Sequence, residues 1–216
     1  MLFLNGKLSN IINKYELDYL IITGDLSNNI FQHKKIVEEI KKIKVNCKIL
    51  IALGNSERSE SRFLHRKRID NRQDLVREDT NREKIRVLIN ESEIYNKDNL
   101  KILFYGFDNS IYGNEKHDFG LEASEFDYRI LFAHSPNIIK FIEKNHIKYD
   151  LLLAGHTHIN QINIPIVNKL KNKYWYYHIG LKVTSKKVFC ISRGLGTSRL
   201  PLRINYFPGI TIFNFN

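Results

Sequence analysis

Five residues of this chain could hold a metal ion, and each stands just past a short apolar run. Asp25 follows Tyr19–Thr23, Asn55 follows Ile49–Leu53, His134 follows Ile130–Ala133, and His156 and His158 follow Leu151–Ala154. Aspartate and asparagine offer oxygen, and neutral histidine offers nitrogen, to divalent ions such as Mn, Fe or Zn. A hydrolytic site with two such ions needs a carboxylate able to bridge them. It also needs enough neutral ligands to keep the ions strongly Lewis acidic. One Asp, one Asn carbonyl and three His meet that need. Ions held this way clamp a phosphate and lower the pKa of a bound water.

The signals differ in weight. Gly24-Asp25 and Gly54-Asn55, each taken alone, also read as ordinary turns, where Asp and Asn are common. His134 before Ser135-Pro136 says little more. Gly155-His156-Thr157-His158 carries further, because two histidines flanking one residue straight after a buried strand seldom serve packing alone. The four together, in this order, point to one shared site.

The elements that must position them follow from the apolar pattern. The runs before the candidate ligands, with Ile102–Tyr105, are continuously apolar and end at polar or glycine turns, as strands buried on both faces do. Tyr174–Ile179, Lys187–Ile191 and Ile210–Phe215 are richer in aromatic and β-branched residues and predict further strands. Helical spacing of apolar residues marks Lys7–Glu16, the stretch from Ile36 to Ile43, and Asn137–Asn145. Residues 57–84 are dense in Arg, Asp and Glu and predict an exposed helix or insertion. Helices alternating with strands early, and strands late, predict an α/β fold with helix-covered sheets. In such folds the residues past strand C-termini form the site.

Composition bounds the rest. The 216 residues, with 43% hydrophobic and 26% charged, fit one soluble domain over 1–216, with no linker or repeat. The net charge of +11 favours anionic partners, but Ile-, Asn- and Lys-rich chains arise by default in AT-rich genomes. Nucleic-acid binding is the weakest reading, because the basic stretch lacks interleaved aromatics. Cys47 and Cys190 show no metal or redox spacing and read as small core residues. No apolar run predicts a signal peptide or a membrane span, so the expected location is cytoplasmic, with peripheral membrane contact left open.

Gly24-Asp25, Gly54-Asn55, Ala133-His134-Ser135-Pro136 and Gly155-His156-Thr157-His158 together resemble the signature of the calcineurin-like metallophosphoesterases, over nearly the whole chain. The tail, Ser192-Arg193-Gly194-Leu195-Gly196 with Pro208-Gly209-Ile210, is similar to the bacterial YkuE/YaeI-like branch. The resemblance implies a β-sandwich flanked by helices with a dinuclear site at one end. Asp25 would bridge, Asn55, His134 and His156 would complete one metal, and His158 would belong to the other. Asp25, Asn55 and His134 would also carry catalysis. Asn28 or Asn29 would stand behind the ligands, and Arg193 and Arg203 would either meet anionic substrate or form structural pairs.

Three departures qualify this. The family begins with a strand ending in Asp-x-His, and no such motif precedes Asp25, so the first strand and part of one metal site are expected to be missing and one ion to be held. Ser56 stands where the family has a histidine, and serine is no proton donor near neutral pH. His33 or His65 would have to stand in, and nothing in the sequence places either there. Ile159-Asn160-Gln161 stands where Gly-Gly-Gln is common, which alters the pocket rim. The function expected is a metal-dependent phosphohydrolase of impaired activity on a phosphorylated small-molecule, nucleotide-sugar or lipid-linked substrate. The alternative is a non-catalytic binding or scaffold protein of the same fold.

Overall fold

The computed structural model describes residues 8–27, 30–58, 84–97, 99–110, 113–157, 180–184, 186–196, 203 and 207–215. Three strands form one parallel sheet in the order β1 (Tyr19–Ile22), β2 (Lys48–Ile51), β3 (Ile85–Val87). Six form a second sheet: β4 (Glu91–Lys97), β5 (Leu100–Gly106), β6 (Tyr128–Phe132), β7 (Leu151–Ala154), β9 (Lys187–Ile191) and β8 (Gly180–Thr184), in that spatial order. Its inner strands are parallel, and β4 and β8 close the two edges antiparallel.

The period-two alternation of strand side chains builds the layers. In the first sheet Leu20, Ile22, Ile49 and Ile51 pack with Leu8, Ile12 and Ile40 of the helices α1 (Leu8–Ile12) and α2 (Ile30–Ile40). The alternate residues Tyr19, Ile21, Leu50 and Ala52 face the other way and pack with Ile102, Phe104, Ile130 and Phe132 of the second sheet. The Tyr19 ring stacks on Phe104 with centroids 4.2 Å apart. The far side of the second sheet, through Tyr105, Leu131 and Leu152, receives Ile138, Ile139 and Ile142 of helix α3 (Ile138–Lys144). Helix, sheet, sheet and helix are therefore stacked in layers, the sandwich expected from the sequence.

Six of the predicted strands are present. The structure adds β3, β4 and β8, none of which reads as an apolar run. β3 has three residues. β4, Glu-Ser-Glu-Ile-Tyr-Asn-Lys, is a polar edge strand whose buried Glu93 pairs with Lys48 of β2 and Arg86 of β3, tying the two sheets together. Ile210–Phe215 joins no sheet among the described residues, although Phe213 packs on the inter-sheet core. α1 ends at Ile12, short of the predicted Glu16, in a turn closed by bonds from Lys14 and Tyr15 to Ile11 and Ile12. Residues 174–179 lie outside the described part.

The expected exposed segment over 57–84 needs correction at its start. Glu57 is only 3% exposed, and the nearly buried Arg58 pairs with Asp108 just past β5. Both side chains are drawn inward by partners distant in sequence. Residues 59–83 lie outside the described part. Among the described residues no helix is long and apolar enough to cross a membrane.

Candidate metal centre

The turns after β1, β2, β6 and β7 meet at one end of the sandwich. Asp25 and His156 both adopt left-handed backbone, with φ of 56° and 67°, which turns their side chains off the strand direction. The turns touch through glycine: a Cβ on Gly54 would lie 2.4 Å from both the amide nitrogen and Oδ1 of Asp25. Gly24, at φ 82°, packs against Gly54 in the same way. The glycines ahead of Asp25 and Asn55 are thus close-approach positions, which the sequence could show only as turn residues.

His134 stands at the centre of the cluster and is almost fully buried. Its Nδ1 lies 2.6 Å from the carbonyl oxygen of Thr23, so that nitrogen donates its proton to the backbone. This leaves Nε2 as the lone-pair side of the neutral ring. Nε2 faces His156 Nδ1 at 2.9 Å, Asn55 Oδ1 at 3.1 Å and Asp25 Oδ2 at 3.4 Å. Acceptor atoms converging at this range repel one another unless a cation, proton or metal, sits among their lone pairs. Ligating histidines are oriented in this way, with the other ring nitrogen bonded to a carbonyl or carboxylate.

The ligand atoms of Asp25, His134 and His156 all lie within 4.8 Å of one another. Donors on opposite sides of one transition-metal ion are about 4 Å apart, so closing on an ion takes only small side-chain movements. The donor set fits a divalent metal.

The electrostatics agree. Burial alone pushes the His134 imidazolium down, but the Asp25 carboxylate, the Thr23 carbonyl and Glu57 outweigh it and raise the pKa. Burial and the nearby charge of Asp25 push the Glu57 carboxyl up. The crowding of Asp25 and Glu57, whose negative charge also lifts the His134 imidazole, describes a pocket that gains from a positive ion.

Glu57 is the residue that sequence reasoning missed. Its Oε2 accepts from the amides of Asp25 at 2.9 Å and Gly54 at 2.8 Å, and its Oε1 accepts from Leu26 at 2.7 Å. One carboxylate thereby locks the Asp25 turn to the Asn55 turn. Ser56 donates its amide to Asp25 Oδ1 at 2.9 Å, which aims the other carboxylate oxygen at the cluster. The signal available was a glutamate three residues past a turn glycine, in reach of free amides.

Of the predicted ligands, the structure brings Asp25, Asn55, His134 and His156 together. His158, with His65, Asn28 and Asn29, lies outside the described residues. His33 is buried on α2 and is not among the residues gathered at the cluster. Arg203 spends its guanidinium on the carbonyls of Arg193, Gly194 and Gly196, a structural role.

Comparison with known proteins agrees with this geometry. Residues 4–160 match the family described as calcineurin-like phosphoesterase. The chain is 31% identical over 119 residues to the uncharacterized metallophosphoesterase YkuE of Bacillus subtilis, covering 54% of this chain and 41% of that one. It is 25% identical over 218 residues to the uncharacterized metallophosphoesterase Cj0846 of Campylobacter jejuni, covering 96% and 53%. It thus spans about half the length, or less, of these two relatives. The crystal structure of phosphopantetheinyl hydrolase (PptH) from Mycobacterium tuberculosis superposes with a TM-score of 0.50 at 9% identity, over 86% of this chain and 84% of that one, which speaks to fold alone. A family match spanning most of the sequence, falling on turns that gather the same ligand types, has one reading: the chain belongs to the calcineurin-like phosphoesterase family, whose members use divalent metals.

Proposed function

We propose that this chain is a metal-dependent phosphoester hydrolase whose centre is held by Asp25, Asn55, His134 and His156. His158 is proposed to stand with Asp25 at the second metal position, where these two ligands are too few to hold an ion tightly. The observation that carries this reading is the convergence of His156 Nδ1, Asn55 Oδ1 and Asp25 Oδ2 on the lone-pair side of His134 Nε2. A bound divalent ion would polarise a phosphoryl oxygen and acidify a water.

The chain's own residues do the positioning. Thr23 fixes the tautomer and ring angle of His134. The Ser56 amide orients Asp25, and Glu57 holds the two ligand turns in register. The Ser56 hydroxyl cannot supply a proton to a leaving group near neutral pH. Loss of an acid at this position, where no other takes its place, costs about 100- to 10,000-fold in rate, and we propose a slow enzyme on that ground. The substrate class we propose is a phosphorylated small molecule or a lipid-linked phosphate, which the net charge of +11 supports.

The test is hydrolysis of bis-p-nitrophenyl phosphate with Mn(II) by the chain and by Asp25→Ala and His156→Ala. Both substitutions are expected to abolish turnover and the rise in Tm that Mn(II) gives the unsubstituted chain. Equal rates in all three proteins would remove this site from catalysis.

A further inference from the structure

The turn after β5 grips the His134 backbone on both sides. The amide of Phe107 donates to the carbonyl of Phe132 at 2.8 Å, and the carbonyl of Asn109 accepts from the amide of Ser135 at 3.1 Å. The segment from Phe132 to Ser135 is thus pinned at either end, with His134 inside it. Asp108 lies between the two bonds. The turn is itself fixed from behind. Asn90 Oδ1 accepts from the amides of Asp108 at 3.0 Å and Lys116 at 2.9 Å, and the Asp108 carbonyl accepts from Asn114 at 3.0 Å.

Arg58 reaches this turn from another ligand. Its amide donates to the Gly54 carbonyl at 3.3 Å, which closes the turn that carries Asn55. Its guanidinium pairs with the Asp108 carboxylate, and the two side chains are only 11% and 8% exposed. Glu57 and Arg58, adjacent and opposite in charge, therefore tie the Asn55 turn in two directions. Glu57 ties it to the Asp25 turn, and Arg58 ties it to the turn that pins His134. The ligand atoms brought together by the second tie are Asn55 Oδ1 and His134 Nε2, 3.1 Å apart.

The energetics say what such a pair is good for. Desolvation offsets most of the attraction in a buried ion pair, and apolar side chains of similar volume often give equal or greater stability. What the planar guanidinium fork does supply is direction. The pair is neutral as a whole, so it sets a distance without adding charge to a pocket where Asp25 and Glu57 already crowd.

We propose that Arg58 and Asp108 are positioning residues, whose ion pair sets the Asn55 and His134 turns at ligating distance and thereby sets metal affinity. The proposal rests on the reading of the cluster as a metal centre. Arg58 and Asp108 act through Asn55 and His134 and not as ligands.

The test compares the whole chain with Arg58→Met, Asp108→Asn and the double variant Arg58→Met/Asp108→Leu. Mn(II) alone is titrated by calorimetry, Tm is measured without metal, and nuclear Overhauser effects between the Asn55 amide group and the His134 ring are recorded on the metal-free chain. Both single variants should bind Mn(II) about tenfold more weakly or worse. Charge alone predicts opposite signs, because Arg58→Met leaves the Asp108 carboxylate to attract the ion and Asp108→Asn leaves the Arg58 cation to repel it. The double variant should match the Tm of the unsubstituted chain, yet keep the weak Mn(II) binding and lose the Asn55–His134 contacts. A double variant with unchanged affinity and unchanged contacts would overturn the proposal and leave the pair a brace of the fold. Tighter binding in Arg58→Met would overturn it in favour of charge. Should the unsubstituted chain bind no Mn(II), the metal reading fails, and the metal-free contacts still decide: their loss in the double variant upholds positioning, and their persistence overturns it.

Discussion

Replacing Glu57 by Gln isolates the clamp between the two ligand turns. The carboxylate accepts three buried backbone bonds, two at Oε2 and one at Oε1. Glutamine has one acceptor oxygen. Its best orientation keeps the bonds from Asp25 and Gly54 and turns an NH₂ toward the Leu26 amide. One charge-assisted bond is lost with its donor left buried, about 1–3 kcal/mol, and two others weaken from charged to neutral acceptors. Relief of the repulsion between Glu57 and Asp25 offsets part of this. A net loss of about 2–3 kcal/mol is expected, a fall in Tm of roughly 5–10 °C for a chain of this size. Metal affinity should fall about 10- to 100-fold, as for other partners that orient ligands. Urea unfolding gives the first quantity, and titration with Mn(II), read by calorimetry in native buffer, gives the second. Unfolding unchanged within about 0.5 kcal/mol, together with wild-type Mn(II) affinity, would refute the clamp.

Two further perturbations probe the same architecture. Gly54→Ala puts a methyl 2.4 Å from Asp25 atoms, and the neighbour includes backbone that cannot rotate away. It should cost about 1–3 kcal/mol and weaken Mn(II) binding, whereas Gly209→Ala, facing only the flexible Arg193 side chain at 3.3 Å, should do neither. Glu39 ties α2 to α1 by accepting from Ser9 Oγ at 2.7 Å and Ser9 N at 3.0 Å, and these bonds hold its carboxyl below the usual range. A depressed carboxyl stabilises the fold above the unfolded pKa of about 4.3 and loses that contribution as pH falls through the folded value. Denaturant titrations should therefore show Glu39→Gln about 1–2 kcal/mol less stable at pH 7, with the gap closing below about pH 4.

The sequence showed the ligands better than their supports, for a physical reason. Asp25, Asn55, His134 and His156 each follow an apolar strand, and chemistry at strand ends leaves a local mark. Glu57 carries no such mark. Its burial depends on amides of a turn more than thirty residues earlier, and its neighbours are the charged residues of an otherwise polar stretch. β4 escaped because an edge strand alternates polar residues and its one buried acid is paired by Lys48 and Arg86 from elsewhere. Ile210–Phe215 misled in the opposite direction. Its β-branched and aromatic residues express packing against the core through Phe213, which strand propensity cannot distinguish from pairing in a sheet.

Strain at the ligands supplies a last argument. Of the non-glycine residues with positive φ, Asp25 and His156 are both members of the cluster. Left-handed backbone costs a residue with a Cβ about 1 kcal/mol or more. At Asp25 the bonds from the Asp25 and Leu26 amides to Glu57 hold that conformation. His156 is aimed at His134 by the same kind of turn, with φ 67°. If the conformation is imposed by the turn and not by the imidazole, it persists when the ring is removed. His156→Gly should then be more stable than His156→Ala by about 1 kcal/mol without metal, even though glycine gains more entropy on unfolding. Both variants should lose the Mn(II)-induced rise in Tm. An alanine variant as stable as the glycine one would mean that the ring holds the turn, and the backbone would no longer account for where His156 points.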